Sequence, residues 1–96
     1  MIIRFFQVRV PTNLIDEFEP KFKSISYDSV ASAKGCSEVQ ILRGLDGQSQ
    51  TYVMVSKWES LEALKSFAGP EWQCPHIPAG MEKYAEDCSV EHFQTL

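Results

Sequence analysis

Long hydrophobic runs are missing from this chain. Its apolar stretches extend for a few residues only, against the roughly 20 that a helix needs to cross a bilayer, so no membrane-spanning helix is predicted. Basic clusters are missing too. Nine Lys and Arg against 13 Asp and Glu give a formal charge of −4, and no Lys/Arg stripe is available for a phosphate backbone, so nucleic acid is not an expected partner. Cysteine is scarce. Cys36, Cys74 and Cys88 cannot all pair within one chain, and none lies in a CxxC or other zinc or redox spacing, so reduced thiols and no metal site are expected. The first residues show neither the basic region nor the cleavage site of a signal peptide, which makes the cytoplasm the expected compartment.

What is present is apolar side chain in quantity. In 96 residues, 44% are hydrophobic and 11% aromatic. A chain of this length folds as one domain, residues 1–96, because neither half alone could bury enough surface. So much apolar surface in so small a domain suggests that part of it is kept for a partner, with self-association the first candidate.

The segment "MIIRFFQVRV" reads as a strand over residues 2 to 9 that is apolar on both faces. Alternation puts Ile3, Phe5, Gln7 and Arg9 on one face and Ile2, Arg4, Phe6 and Val8 on the other. An amphipathic helix follows, with Thr12 or Asn13 as cap and Leu14, Phe18, Phe22 and Ile25 at helical spacing. Pro20 falls inside this pattern, so a break near Glu19 is expected, with helix resuming toward Ala33 before Gly35 closes it. Two strand-like runs, Glu38 to Arg43 and Thr51 to Trp58, flank an Asp46-Gly47 turn signal and predict a hairpin. Ser60 caps a second helix with Leu61, Leu64, Phe67 and Ala68 on its buried side, and Gly69-Pro70 stops it. After an irregular stretch with helical turns around Met81 to Ala85, "CSVEHFQTL" supplies a last strand.

Strand, helix, strand, strand, helix, strand is the order of the α+β ferredoxin-like fold, whose four-stranded antiparallel sheet carries both helices on one face. Its other face is bare. With strand one apolar on both sides, and Val53 and Val55 opposing Tyr52 and Met54, that face is expected to meet a second copy, making a homodimer built sheet against sheet.

The segments "KGCSEVQILRG", "TYVMVSKWESLEALKSF" and "VEHF", in this order and spacing, resemble the antibiotic biosynthesis monooxygenase (ABM) domains of the dimeric α+β barrel group. The likeness covers nearly the whole chain, and its most specific piece is the strand ending at Trp58 followed by Glu-Ser and a helix. It implies a pocket between helices and sheet. It also implies several chemistries: cofactor-free oxidation of polyketide-derived aromatics, haem degradation, isomerisation, or no catalysis. Haem-degrading members carry an Asn on strand one, a Trp on the second helix and a His beyond it. The matching positions here are Gln7, Phe67 and His76, of which the first two depart from that pattern.

A cofactor-free oxygenase requires a dry cavity with a few placed polar groups. Gln7 and His76 are the expected catalytic residues. An amide inside an apolar strand needs buried partners or water at an edge, and an imidazole titrating near about 6.5 suits proton transfer at cellular pH. Arg9, Tyr27, Phe67 and Trp72 are the expected substrate contacts. Trp72, in the loop after the second helix, either plugs the pocket mouth or stacks on a flat ligand. The bland readings are a solvated His76, a packed Trp58, an interface His92, and a Cys74 that does not face His76. The expected function is thus monooxygenation of an aromatic or polyketide-like small molecule without metal or flavin. The alternatives are a haem-binding or haem-degrading protein, with His76 as iron ligand, and a non-catalytic dimeric small-molecule-binding module.

Overall fold

A computed structural model describes residues 1–45, 47, 50–75, 77 and 79–96. The strands are β1 (Ile2–Arg9), β2 (Cys36–Arg43), β3 (Thr51–Trp58) and β4 (Asp87–Gln94). They form one antiparallel sheet in the order β2-β3-β1-β4. Helices α1 (Ile15–Lys21) and α2 (Tyr27–Ala31) belong to the first crossover and α3 (Leu61–Ala68) to the second, so the α+β ferredoxin-like expectation holds. Asp46, of the hairpin turn signal, lies outside the described residues.

Register decides which side chains share a face. Arg4 is paired with Ser56 and His92, Phe6 with Met54 and Val90, and Val8 with Tyr52 and Cys88. These positions lie beneath the helices, and Val8, Tyr52 and Met54 join Phe18, Phe22, Met81 and Tyr84 in the main core. Two tyrosines enter that core because helix acids receive their hydroxyls. Tyr52 donates to Glu19 at 2.7 Å and Tyr84 to Glu17 at 2.7 Å, so neither phenol is buried without a partner. Lys83 and Lys21 complete the second cluster, at 2.6 Å from Glu17 and 2.8 Å from the Tyr84 hydroxyl.

The first helix departs from its expected form. It begins with a 3-10 turn, Thr12–Leu14, and neither Thr12 nor Asn13 caps it through a side chain. It does not break near Glu19. Helix continues through Pro20 and changes to a π turn over Phe22–Ser26 before α2 resumes. Pro20 has no N–H to give, and the Ser24 hydroxyl donates to the Pro20 carbonyl at 2.9 Å, so the ladder slips rather than ends. A π turn holds more residues per turn than an α turn, and the inward face shifts with it. Ser26 is buried, whereas Ile25, inward by helical spacing, is 46% exposed.

The second helix keeps to expectation at both ends. The Ser60 hydroxyl accepts from the Ala63 N–H at 3.1 Å, and Gly69 follows the last turn at φ 82°. Leu64 is fully buried, but Leu61 faces out. Gly35 ties α3 to the start of β2. Its φ is 90°, and a Cβ there would overlap the Ala63 Cβ, so only glycine lets helix and strand approach this closely.

Candidate functional site

Between the π turn and the sheet lies a cavity lined by Arg4, Phe6, Phe22, Ser26, Ser29, Val30, Met54, Ser56, Trp58 and Phe67. Each wall has a local cause. Strand alternation turns Arg4 and Phe6, Met54, Ser56 and Trp58 inward. The π turn and α2 contribute Phe22, Ser26, Ser29 and Val30 along one helical side. Phe67 comes from the last turn of α3 and packs on Trp58 with ring centroids 5.1 Å apart. The fully buried Trp58 donates its indole N–H to the Ser56 hydroxyl at 2.9 Å. The enclosed space leaves about 40 Å³ for water centres, room for roughly two or three waters.

Arg4 is the one charged residue in this lining among the described residues. It is only 4% exposed. Its Nη1 donates to the Trp72 carbonyl at 2.7 Å and lies 2.9 Å from His92 Nε2, while Nη2 donates to the Cys74 carbonyl at 3.3 Å. A guanidinium has no acceptor to offer, so His92 Nε2 must be the unprotonated nitrogen of a neutral imidazole. Burial, then the Arg4 charge, hold the His92 pKa below its ordinary value; burial likewise lowers that of Arg4. Trp72 packs edge-on against His92 at 5.0 Å, with the Lys65 ammonium 5.6 Å from the Trp72 ring. The loop after α3 is thus tied to the edge of the cavity through Arg4 and His92.

The residues expected from the sequence are dispersed. Phe67 lines the cavity, and Trp72 borders it through its carbonyl and its ring. Gln7 and Arg9 do not reach it. Both are exposed on the opposite face of the sheet, around a shallow polar depression shared with Thr51, Asp87, Cys88 and Ser89. The strand period of two is the reason, because residues 7 and 9 cannot face the same way as 4, 6 and 8. Arg9 there pairs with Glu86 at 3.2 Å. Tyr27 opens α2 half-buried and is not part of the lining. His76 lies outside the described residues. Cys74 is exposed, and among the described residues no group of His, Cys, Asp and Glu could hold a metal ion.

Arg4, Phe6, Ser26, Ser29 and Ser56 were not singled out from the sequence. For Arg4 a signal existed: it is a charge at the centre of the strand face that also carries Phe6 and Val8. For Ser26 and Ser29 there was none, since the π turn is what brings them inward.

Other proteins share this fold. The sequence profile described as antibiotic biosynthesis monooxygenase matches residues 1–73. Among solved structures, the heme-degrader MhuD from Mycobacterium tuberculosis, with two hemes bound in its active site, is 25% identical with a TM-score of 0.72, covering 100% of this chain and 96% of that one. An antibiotic biosynthesis monooxygenase homologue from Bordetella bronchiseptica is 23% identical at TM-score 0.73, covering 99% and 96%. Another from Deinococcus radiodurans is 12% identical at TM-score 0.77, covering 99% and 92%. No curated protein sequence matches the chain. With the profile spanning most of the sequence and the fold shared along its whole length, this chain belongs to the antibiotic biosynthesis monooxygenase family.

Proposed function

We propose that this protein is a monooxygenase that oxidises a flat aromatic or polyketide-like small molecule, without metal or flavin, in the cavity between helices and sheet, which widens to admit it. The observation that carries this reading is the lining itself. Phe6, Phe22, Trp58 and Phe67 present aromatic surface, and Ser26, Ser29 and Ser56 place hydroxyls among them, the mixture that orients an apolar ligand by a few polar contacts. An electron-rich phenolate held away from bulk water can pass an electron to dioxygen itself. One oxygen atom then enters the ring system as a carbonyl, and the other leaves as water with the two hydrogens lost from that carbon. The protein's part is to bind, exclude water and accept a proton. His92 is not suited to accept it, because its unprotonated nitrogen already receives Arg4. His76 is the proposed base on its place in the sequence, and Trp72 and Phe67 are the proposed contacts to the ring.

Incubation with anthrone in air, with EDTA present, tests the activity. Quinone formation matched by oxygen uptake and reduced by His76→Ala is expected. No product above the buffer rate would leave the non-catalytic binding module as the better reading.

The uncovered sheet face supports a homodimer. Phe5, Leu42 and Phe93 are 37%, 45% and 52% exposed there, and Phe5 and Phe93 meet edge to face at 5.5 Å, a contiguous apolar patch of the kind that marks an interface. Sedimentation is expected to show a dimer that Phe5→Glu with Phe93→Glu converts to a folded monomer. The proposed compartment is the cytoplasm; among the described residues no helix is long and apolar enough to cross a membrane.

Haem binding is the second reading, favoured by the likeness to MhuD. The described residues do not fit a porphyrin as they stand. The described imidazole, His92, spends its unprotonated nitrogen on Arg4 and so is not a free iron ligand. No step is derived through haem. Hemin titration separates the readings: the expected result is no saturable Soret shift, and a shift abolished by His76→Ala would establish the haem reading.

A further inference from the structure

Arg4 is buried as a cation with no counter-ion among the described residues. Its acceptors, two backbone carbonyls and a neutral imidazole, fix its orientation without neutralising it, and among the described residues it forms no ion pair. Isolated charges are costly to bury and are usually kept only where something pairs with them. The donors are also unevenly used. Nη1 is engaged twice and Nη2 once, and the Nε–H has no acceptor among the described residues. In a guanidinium the Nε–H and an Nη2–H bond run parallel and match the two oxygens of a planar carboxylate.

We propose that Arg4 is the anion anchor of the cavity, and that the ligand is a flat aromatic acid whose carboxylate takes the guanidinium's Nε–H and Nη2 edge while its ring packs among Phe6, Trp58 and Phe67. This rests on the reading of the cavity as an aromatic-binding site and names the chemical class it selects. One cation in a lining otherwise uncharged among the described residues matches a monoanion; a phosphate dianion would call for a second positive group. The Ser56 hydroxyl, already accepting from Trp58, keeps its own hydrogen to donate beside the anchor. The Trp72 and Cys74 carbonyls of the loop after α3 hold the guanidinium, so that loop positions the anchor.

Calorimetric titration of the intact protein with 2-naphthoate and with the neutral, equally shaped 2-naphthamide tests this. The acid is expected to bind about tenfold to a hundredfold more tightly, and Arg4→Met is expected to abolish the preference while sparing amide binding. Arg4→Lys keeps the charge but not the fork, and is expected to retain part of the preference. Equal binding of acid and amide, or a preference unchanged in Arg4→Met, overturns the anchor and leaves the aromatic cavity standing. Binding of neither compound overturns both. Should Arg4→Met fail to fold, the acid-to-amide ratio in the unaltered protein still decides. A shift of the Arg4 Nε–H resonance with naphthoate and not with naphthamide supports the proposal, and no such shift overturns it.

Discussion

The covered and uncovered faces of the sheet are built from the same strands, yet they differ in what their polar residues do. Along β1, Arg4, Phe6 and Val8 turn toward the helices, while Ile3, Phe5, Gln7 and Arg9 turn away. On the uncovered face the polar groups are exposed and pair at the rim, as Arg9 does with Glu86, and the apolar groups are left half-open. On the covered face each phenol, indole and guanidinium is held by a specific partner. The contrast follows from desolvation: a polar group shielded from water must be hydrogen-bonded inside the protein, whereas a group in contact with water need not be. Residue type along β1 therefore says less about function than which face each residue joins.

Replacement of one aromatic on each face tests this contrast most strongly. Trp58→Ala is expected to cost about 3–5 kcal/mol, because it opens a hole in a fully buried site and strips the Ser56 hydroxyl of its donor. Phe5→Ala, on the other face, is expected to cost the monomer about 1 kcal/mol. Urea unfolding at low protein concentration measures both, and equal losses would break the contrast.

A smaller effect is expected from Tyr52→Phe. Removing the hydroxyl leaves Glu19 to Arg43 and Lys23, with a loss of about 1–2 kcal/mol. The same phenol offers a spectroscopic check. Burial, then Glu19, push its pKa up to about 12, so alkaline difference spectra should show one tyrosine titrating well after an ordinary one, and Tyr52→Phe should remove that late phase.

The smallest expected effect is on pH dependence. The His92 pKa is lowered in the folded chain by burial and by Arg4, so folding favours the neutral ring. Its contribution is fully present above the ordinary value of 6.5 and is lost as pH falls through the lowered one. His92→Gln is expected to flatten the slope of stability against pH just below 6.5, a window above that of Glu17 and Glu19, whose lowered values place their losses below 4.5. An unchanged slope in His92→Gln would show that the imidazole titrates alike in both states.

Much of the fold was legible because its signals are local. The limits of β1 and β3, the Ser60 cap and the Gly69 stop follow from alternation, capping and backbone freedom, each set within a few residues. The site was less legible. Phe67 and Trp72, which the structure puts beside the cavity, flank a recognisable helix end. Gln7 lies away from the cavity because the strand period excludes it from the face of Phe6, and Arg4, not singled out, lies on the face that lines it.

By itself the sequence determined the order of elements, their faces and the family to which the chain belongs, since these depend on periodicity and turn chemistry between near neighbours. Only the tertiary structure decided that Pro20 leads into a π turn instead of a break, that Ser26 and not Ile25 looks inward, and that Arg4 stands buried at an aromatic cavity. Those outcomes depend on how α1 and α2 settle on the sheet and on where the loop after α3 brings its carbonyls, contacts between residues some 70 positions apart. Spacing along the chain carries no record of them.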